Sequence, residues 1–270
     1  MPYTKINCPV CGGFHTATWN DETCLYHCHH CNAKGTIETP EPESKPTSQK
    51  ECEMTEPISD QNIIDWFAKR GISKQTLIDL RVTTGIDWML PANDRRYPNG
   101  GNTPTIHFNY FLDGELQFTK LRSFDKCFRF SSSVSDTELI PYNLDSIRDT
   151  DTCYITEGEI DTLSLHEIGI TNVVSAPSGP FGTRWIDNCY DTHFKHKQKI
   201  IICADADSRG LLFANQIKDH IFDKMGKDLV EICSDYGIDP DTGKFVIDPN
   251  CSLVKFGKEF LRDHILNFIP

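Results

Sequence analysis

Glu157, Glu159 and Asp161 fall within the run Thr156-Glu157-Gly158-Glu159-Ile160-Asp161, and Asp205-Ala206-Asp207-Ser208 follows further along the chain. Gathered carboxylates repel one another unless a cation neutralises them, and hard oxygen donors select Mg²⁺ or Mn²⁺. Gly158 predicts a tight turn that lets a metal and phosphates come close to the backbone. Ordinary N-capping is the competing explanation, because Asp and Glu are common at helix starts. Capping accounts for one acid per helix. It accounts poorly for an E-G-E-x-D run and a D-x-D run in the same chain.

Two C-x-x-C pairs, Cys8-Pro-Val-Cys11 and Cys28-His-His-Cys31, point to different chemistry. Each pair closes a knuckle that aims two thiolates at one ion, and two knuckles supply the tetrahedral donor set of a structural zinc site. Cys24, His27, His29 and His30 crowd the second knuckle, which leaves a set of three thiolates and one imidazole open. A redox dithiol is the alternative. A closed four-ligand site is structural, so the segment reads as a recognition module. A third group is basic: Arg95, Arg96, Lys120, Arg122, Lys126 and Arg129 outnumber the acids around them. Lys120 and Arg122 lie two apart in an alternating run and so share a strand face, which suits triphosphates and a nucleic-acid backbone. A merely solvated strand face is the plainer reading. Lys195, Lys197 and Lys199 read as surface, and His107 as a strand residue.

The elements that must carry these residues follow from pattern. Residues 1–38 hold cysteine and histidine with few long aliphatics, so they are not expected to build a core of their own. Residues 39–57 are rich in Pro, Ser, Thr and Glu, which predicts a linker. Ile63, Ile64, Trp66 and Phe67, then Leu77, Ile78 and Leu80, flank Gly71-Ile72-Ser73 and predict two short helices joined by a turn. Alternation over 104–130, broken by Asp113-Gly114, predicts a hairpin. From 152 onward strands alternate with helices: CYIT at 153–156, a helix at 159–168, NVVSA at 172–176, a helix at 183–194, KIIICA at 199–204, a helix at 209–224 and LVEIC at 229–233. That alternation with near-continuous apolar strands predicts an α/β parallel sheet covered by helices. Both acidic runs then sit where a strand ends and a helix begins, so they open onto one crevice. The expected organisation is a ribbon over 1–38, the linker, a mixed α+β region over 58–150, the parallel-sheet region over 151–243, and a C-terminal extension over 244–270.

Composition sets limits. The 270 residues carry 27 Lys plus Arg against 39 Asp plus Glu, a formal charge of −12, so nucleic-acid contact must come from a local patch. Twelve cysteines without a signal-peptide pattern, several inside apolar runs, read as a reducing compartment and a soluble cytoplasmic protein. Gly226-Lys227-Asp228, Gly243-Lys244-Phe245 and Gly257-Lys258-Glu259 all lack the Ser/Thr and spacing of a Walker A loop, which excludes an ATP-driven motor in this chain.

T-E-G-E-x-D followed by D-A-D, one strand–helix unit apart, resembles the TOPRIM domain shared by primases, topoisomerases and some nucleases. A four-cysteine ribbon, a linker, a mixed region and then TOPRIM resembles the order of DnaG-type bacterial primases and of the primase half of bacteriophage primase–helicases. Val174-Ser175-Ala176-Pro177-Ser178-Gly179 is similar to the loop these enzymes carry after the second TOPRIM strand. The resemblance implies a DNA primase, a nucleotidyltransferase making short RNA primers on single-stranded DNA by two-metal phosphoryl transfer. It implies that Glu157, Asp205 and Asp207 hold catalytic Mg²⁺ or Mn²⁺, with Glu159 and Asp161 beside them. A further acidic motif should follow the next strand, where Asp235 and Asp239 stand. Lys120, Arg122 and Lys126 become nucleotide- and template-binding candidates, and Cys8, Cys11, Cys28 and Cys31 the zinc ligands. Implied partners are a single-stranded template, ribonucleoside triphosphates and a replicative helicase, on a separate chain or in a longer parent chain, in a bacterial or phage-infected cell. The rival is a non-catalytic TOPRIM and zinc clamp like the recombination mediators. Those carry degraded acidic runs and a zinc module close against TOPRIM, whereas here the acids are complete and a long stretch intervenes.

Overall fold

A computed structural model describes residues 3–6, 8, 10, 17–20, 23–36, 60–89, 100–178 and 182–268. The expected linker at 39–57 lies outside them, as do Cys11, Arg95, Arg96 and Gly179. The first body is an antiparallel sheet of β1 (Tyr3–Ile6), β2 (Ala17–Asn20), β3 (Leu25–Cys28) and β4 (Lys34–Thr36), ordered as numbered. Its core is small: Cys8, Ala17, Trp19, Tyr26 and Cys28, a cluster separate from the main one.

The two helices expected before the hairpin are α1 (Gln61–Ala68) and α2 (Lys74–Asp79). Asp60 and Ser73 cap their first turns by accepting backbone N–H bonds, and Ile63, Phe67 and Leu77 enter the main core. A second antiparallel sheet follows, β5 (Thr83–Met89), β6 (Gly101–Leu112), β7 (Glu115–Ser123) and β8 (Phe128–Phe130). Asp113 and Gly114 both adopt positive φ at the β6–β7 turn, the geometry that lets a two-residue loop follow the strand twist. The register row Thr84–Ile106–Arg122–Phe128 puts Arg122 on the face that carries Phe108, Tyr110 and Lys120. On the opposite face the Arg129 side chain donates from Nε to the Trp88 carbonyl at 2.9 Å, drawing edge strand β8 towards edge strand β5. His107 is a β6 residue paired to Asp87 at 2.7 Å on that same face.

The third sheet is parallel and carries the α/β alternation: β9 (Thr152–Thr156), α3 (Glu159–Glu167), β10 (Val173–Ser175), α4 (Arg184–Asp187), β11 (Lys199–Cys203), α5 (Ser208–Met225) and β12 (Val230–Cys233). Strand order is β10–β9–β11–β12. Ser175, Thr156, Cys203 and Cys233 share one register row, so the four strands end together. The expected helix over 183–194 is broken: α4 is a single turn, Cys189 departs to φ −130°, and Tyr190–Phe194 forms a π turn. Lys197 is not surface. It is 3% exposed, and its ammonium donates to the Ile147 and Thr150 carbonyls.

Two further helices, α6 (Pro249–Phe256) and α7 (Lys258–Leu266), occupy the expected extension. Glu167 at the end of α3 joins them to α2. Its side chain, 3% exposed, accepts from Ser73 N–H and Oγ at 2.9 Å, from the Thr76 hydroxyl and from Lys258. No described helix is long and apolar enough to cross a membrane.

Removing this acceptor should be costly because it leaves several desolvated donors unmade. Glu167→Ala is expected to lower stability by ~2–3 kcal/mol in denaturant unfolding, whereas Asp191→Ala, which loses only an exposed pair with Lys195, should change it by less than ~0.5 kcal/mol.

Candidate active site

β9 and β11 are neighbours and end at the same level, which brings Glu157 and Asp205 together: the Asp205 N–H donates to Glu157 Oε1 at 3.0 Å. Asp207 is the N-cap of α5, its Oδ1 accepting from the N–H groups of Arg209 and Gly210, both at 2.8 Å. Asp161, third residue of α3, accepts from the Asn250 N–H at 3.3 Å. Asn250 also donates its amide to the Arg70 carbonyl and the Ser164 hydroxyl, fixing the start of α6 against α3 and the end of α1. Asp248, N-cap of α6, accepts from the Cys251 N–H at 2.6 Å.

These acids feel one another. Burial, followed by Glu157, Asp248 and Asp207, pushes Asp205 up to about 7. Burial and then Asp248 and Asp205 push Asp161 well above the carboxylate range. Glu157 is raised by burial, with Asp207 and Asp248 adding repulsion against the Asp205 N–H. Asp248 is thus a member that the sequence reading missed; it lies beyond the stretch searched for a last acidic motif, and its only local signal is a helix-capping Asp-Pro. Asp235 and Asp239, expected in that role, make other contacts. Asp239 is held down at about 2 by a hydrogen bond from Lys255, and Asp235 accepts from Gly237 N–H and lies 3.9 Å from His264.

Glycine is required at one place here, and it is not Gly158. Gly158 has φ −133°, an extended conformation open to any residue, and a Cβ there would sit an ordinary 3.5 Å from Asp161. A Cβ on Gly210 would collide with the Asp205 carbonyl and stand 2.6 Å from Glu157 Oε1. First-turn helix packing against the two acids therefore excludes a side chain at 210.

Beside the acids lies the cationic face of the antiparallel sheet. Lys120 Nζ is 2.7 Å from Glu159 Oε1. Arg122 is buried, its guanidinium 4.8 Å from the Trp66 ring centre and 5.6 Å from that of Phe128. Arg70 stacks on Trp66 at 3.4 Å. Burial and then the nearby Arg70 lower Arg122 to about 10, and Glu159 opposes that shift. Arg70 and Trp66 are further residues missed by sequence reading, visible there only as members of a short amphipathic helix. Lys126 stands apart, exposed in the β7–β8 turn.

In the ribbon, the sulfurs of Cys8, Cys28 and Cys31 lie within 4.8 Å of one another, a set that could hold a metal ion. N–H groups of Val10, His30 and Cys31 point at the Cys8 and Cys28 sulfurs at 3.3–3.4 Å, as expected for a knuckle that stabilises thiolates.

Residues 154–242 match the Toprim-like family model. The chain is 31% identical over 230 residues to the Primase homolog protein of Arabidopsis thaliana, covering 80% of this chain and 61% of that one. It is 33% identical over 177 residues to the Twinkle homolog protein, chloroplastic/mitochondrial, of the same plant, covering 60% of this chain and 22% of the relative. The chain resembles the TOPRIM-type DNA primases. It spans less than two thirds of either curated relative. The primase fragment of the bacteriophage T7 primase-helicase protein shares its fold, with a TM-score of 0.56 and 18% identity over 97% of this chain and 99% of the fragment. Within this TOPRIM-like domain Glu157, Asp161, Asp205 and Asp207 come together, while Asp248 arrives from α6, beyond the matched residues.

The raised carboxyls give a pH dependence of definite sign. In the divalent-free protein these carboxyls keep protons between the ordinary carboxylate range and about pH 7 that the unfolded chain has lost, so their contribution to stability falls as pH rises through that window, while His166 and His193, lowered by burial, act in the opposite sense. Thermal melts should therefore show Mg²⁺ raising the Tm more at pH 8 than at pH 5.5. Asp205→Asn should raise the metal-free Tm at pH 8, and an unchanged or lowered Tm would contradict the repulsion.

Proposed function

We propose that the chain is a DNA primase, a template-directed nucleotidyltransferase that makes short RNA primers on single-stranded DNA. One observation carries the reading: five mutually repelling carboxylates gathered at the ends of neighbouring parallel strands, beside a cationic sheet face. The donor set fits hard divalent cations. It is all oxygen, it is partly buried, and its repulsion is relieved by positive charge. Glu157, Asp205 and Asp207 would hold the cations, with Asp161 and Asp248 completing the set. When bound, the cations would supply the charge that activates a 3′-hydroxyl and steadies the leaving pyrophosphate.

The chain's own residues do the rest. Arg122, with its planar fork beside Trp66 and Phe128, can grip two phosphate oxygens at once, and Arg70, stacked on the same Trp66 ring, adds positive charge. Two guanidiniums that repel each other when empty are relieved by a triphosphate. Lys120 adds a point charge, and exposed Lys126 suits the template backbone. Cys8, Cys11, Cys28 and Cys31 would hold one structural zinc, leaving the ribbon to inspect the template. Support for a helicase partner comes from the name of the phage relative, a primase-helicase. No described observation favours the clamp reading.

The test is incorporation of labelled ribonucleotides on mixed single-stranded templates. Glu157→Ala and Asp207→Ala should each reduce it at least ~100-fold, ~2.7 kcal/mol in barrier, with the fold intact. Template binding without incorporation by the unaltered chain would instead identify a clamp. Metal analysis should find about one zinc per chain, lost in Cys28→Ser.

A further inference from the structure

The carboxylates of Glu157-Gly158-Glu159-Ile160-Asp161 do not face one way. Glu159 and Asp161 are the first and third residues of α3. Two residues along a helix turn the side chain by about 200°, so the pair leaves α3 on opposite sides. Asp161 turns to the acidic cluster. Glu159 turns to the antiparallel sheet, is only 4% exposed, and uses one oxygen, Oε1, for two donors. These are the Tyr110 hydroxyl at 2.6 Å and Lys120 Nζ at 2.7 Å. Tyr110 is itself immobilised, stacked on Phe118 at 4.5 Å and edge-on to Tyr142 at 5.4 Å. The Lys120 ammonium also lies 5.3 Å from the centre of the Phe128 ring.

We propose that Glu159 is a positioning residue for Lys120 rather than a ligand of the acidic site. The proposal rests on the reading of Lys120 as a triphosphate-binding residue. A lysine head on a four-carbon stem is otherwise free to rotate, and a long flexible cation loses much of its value as a recognition group. Glu159 removes that freedom by holding the ammonium on a carboxylate that Tyr110 anchors in the core. It also serves as counter-charge when no nucleotide is present. Arg70 and Arg122 already repel each other, Glu159 opposes the shift this causes, and without it a third cation would add to the strain. The first turn of α3 therefore serves two sites: one side completes the acidic cluster, and the other sets the position of the cation that meets the nucleotide.

A positioning role and a ligand role predict different kinetics. Glu159→Gln keeps the shape and an acceptor for Tyr110 but removes the charge that fixes Lys120. It should raise the nucleotide KM about tenfold, leave kcat within about threefold, and leave the Mg²⁺ concentration for half-maximal activity unchanged. Asp205→Asn, the reference for a ligand, should raise the Mg²⁺ requirement instead. Combined with Lys120→Ala, Glu159→Gln should add nothing further to KM, since both remove the same interaction. Glu159→Asp, charged but one methylene short, should recover part of the loss, and it carries the test if Glu159→Gln does not melt cooperatively. A raised Mg²⁺ requirement in Glu159→Gln, or effects that add fully to Lys120→Ala, would overturn the proposal. Calorimetric binding of Mg²⁺·GTP to the full chain separates the two levels. If Lys120→Ala binds as tightly as the unaltered chain, the reading of Lys120 is wrong. If Lys120→Ala weakens binding and Glu159→Gln does not, only the positioning role fails.

Discussion

Carboxylates brought to the ends of adjacent strands push one another apart, and the fold holds them by aiming backbone N–H groups at four of them. The Asp205 N–H meets Glu157, Arg209 and Gly210 meet Asp207, Asn250 meets Asp161, and Cys251 meets Asp248. Three of these acids stand in the first turn or at the cap of α3, α5 and α6, where helix dipoles favour negative charge. The donors do not cancel the repulsion. What is left over is seen in the raised Glu157, Asp161 and Asp205, and positive charge placed among them would relieve it. Much of the surrounding architecture follows from that requirement. Strands β9 and β11 must end level, Gly210 must lack a side chain, and α6 must dock so that Asn250 and Asp248 face α3.

The cationic face is built against the same helix from the other side. Arg122, Lys120 and Tyr110 share a strand face because their spacing is two along β7 and across the β6–β7 register. Trp66 from α1 and Phe128 from β8 give the Arg122 guanidinium flat apolar surfaces to lie against. That arrangement desolvates a charge in a protein of net charge −12, so the local field, and not the overall balance, governs any anion that enters.

The elements were largely legible because each has a strong local signal. Asp113-Gly114 marks its hairpin, the apolar runs at 199–204 and 229–233 mark buried parallel strands, and Asp60 and Ser73 cap the helices that their periodicity predicts. The acids near β9 and β11 were legible for the same reason, standing directly after strands. Asp248 was not, because nothing in Asp248-Pro249 separates a cap from a site acid until α6 is seen packed on α3. Glu159 was read with its neighbours, although helical periodicity already turns it away from Asp161. Lys197 looked like surface because lysine usually is; only the converging Ile147 and Thr150 carbonyls give it a buried place.

Helix capping and cation binding were opposed readings of the same acids, and the geometry removes the opposition. Both N–H groups that reach Asp207 use a single oxygen, Oδ1, so the cap anchors the carboxylate at one atom and does not use Oδ2. Glu157 likewise receives the Asp205 N–H on Oε1 alone. A carboxylate held in this way is restrained in advance, which would lower the entropy lost if it took up a cation. Capping is then the means by which a flexible carboxylate becomes a directed one. A chain that merely capped its helices would need no second acid within reach of the first. Here Asp205 sits between Glu157, Asp207 and Asp248 with its own carboxyl pushed up to about 7, a destabilised placement that helix stability alone does not require.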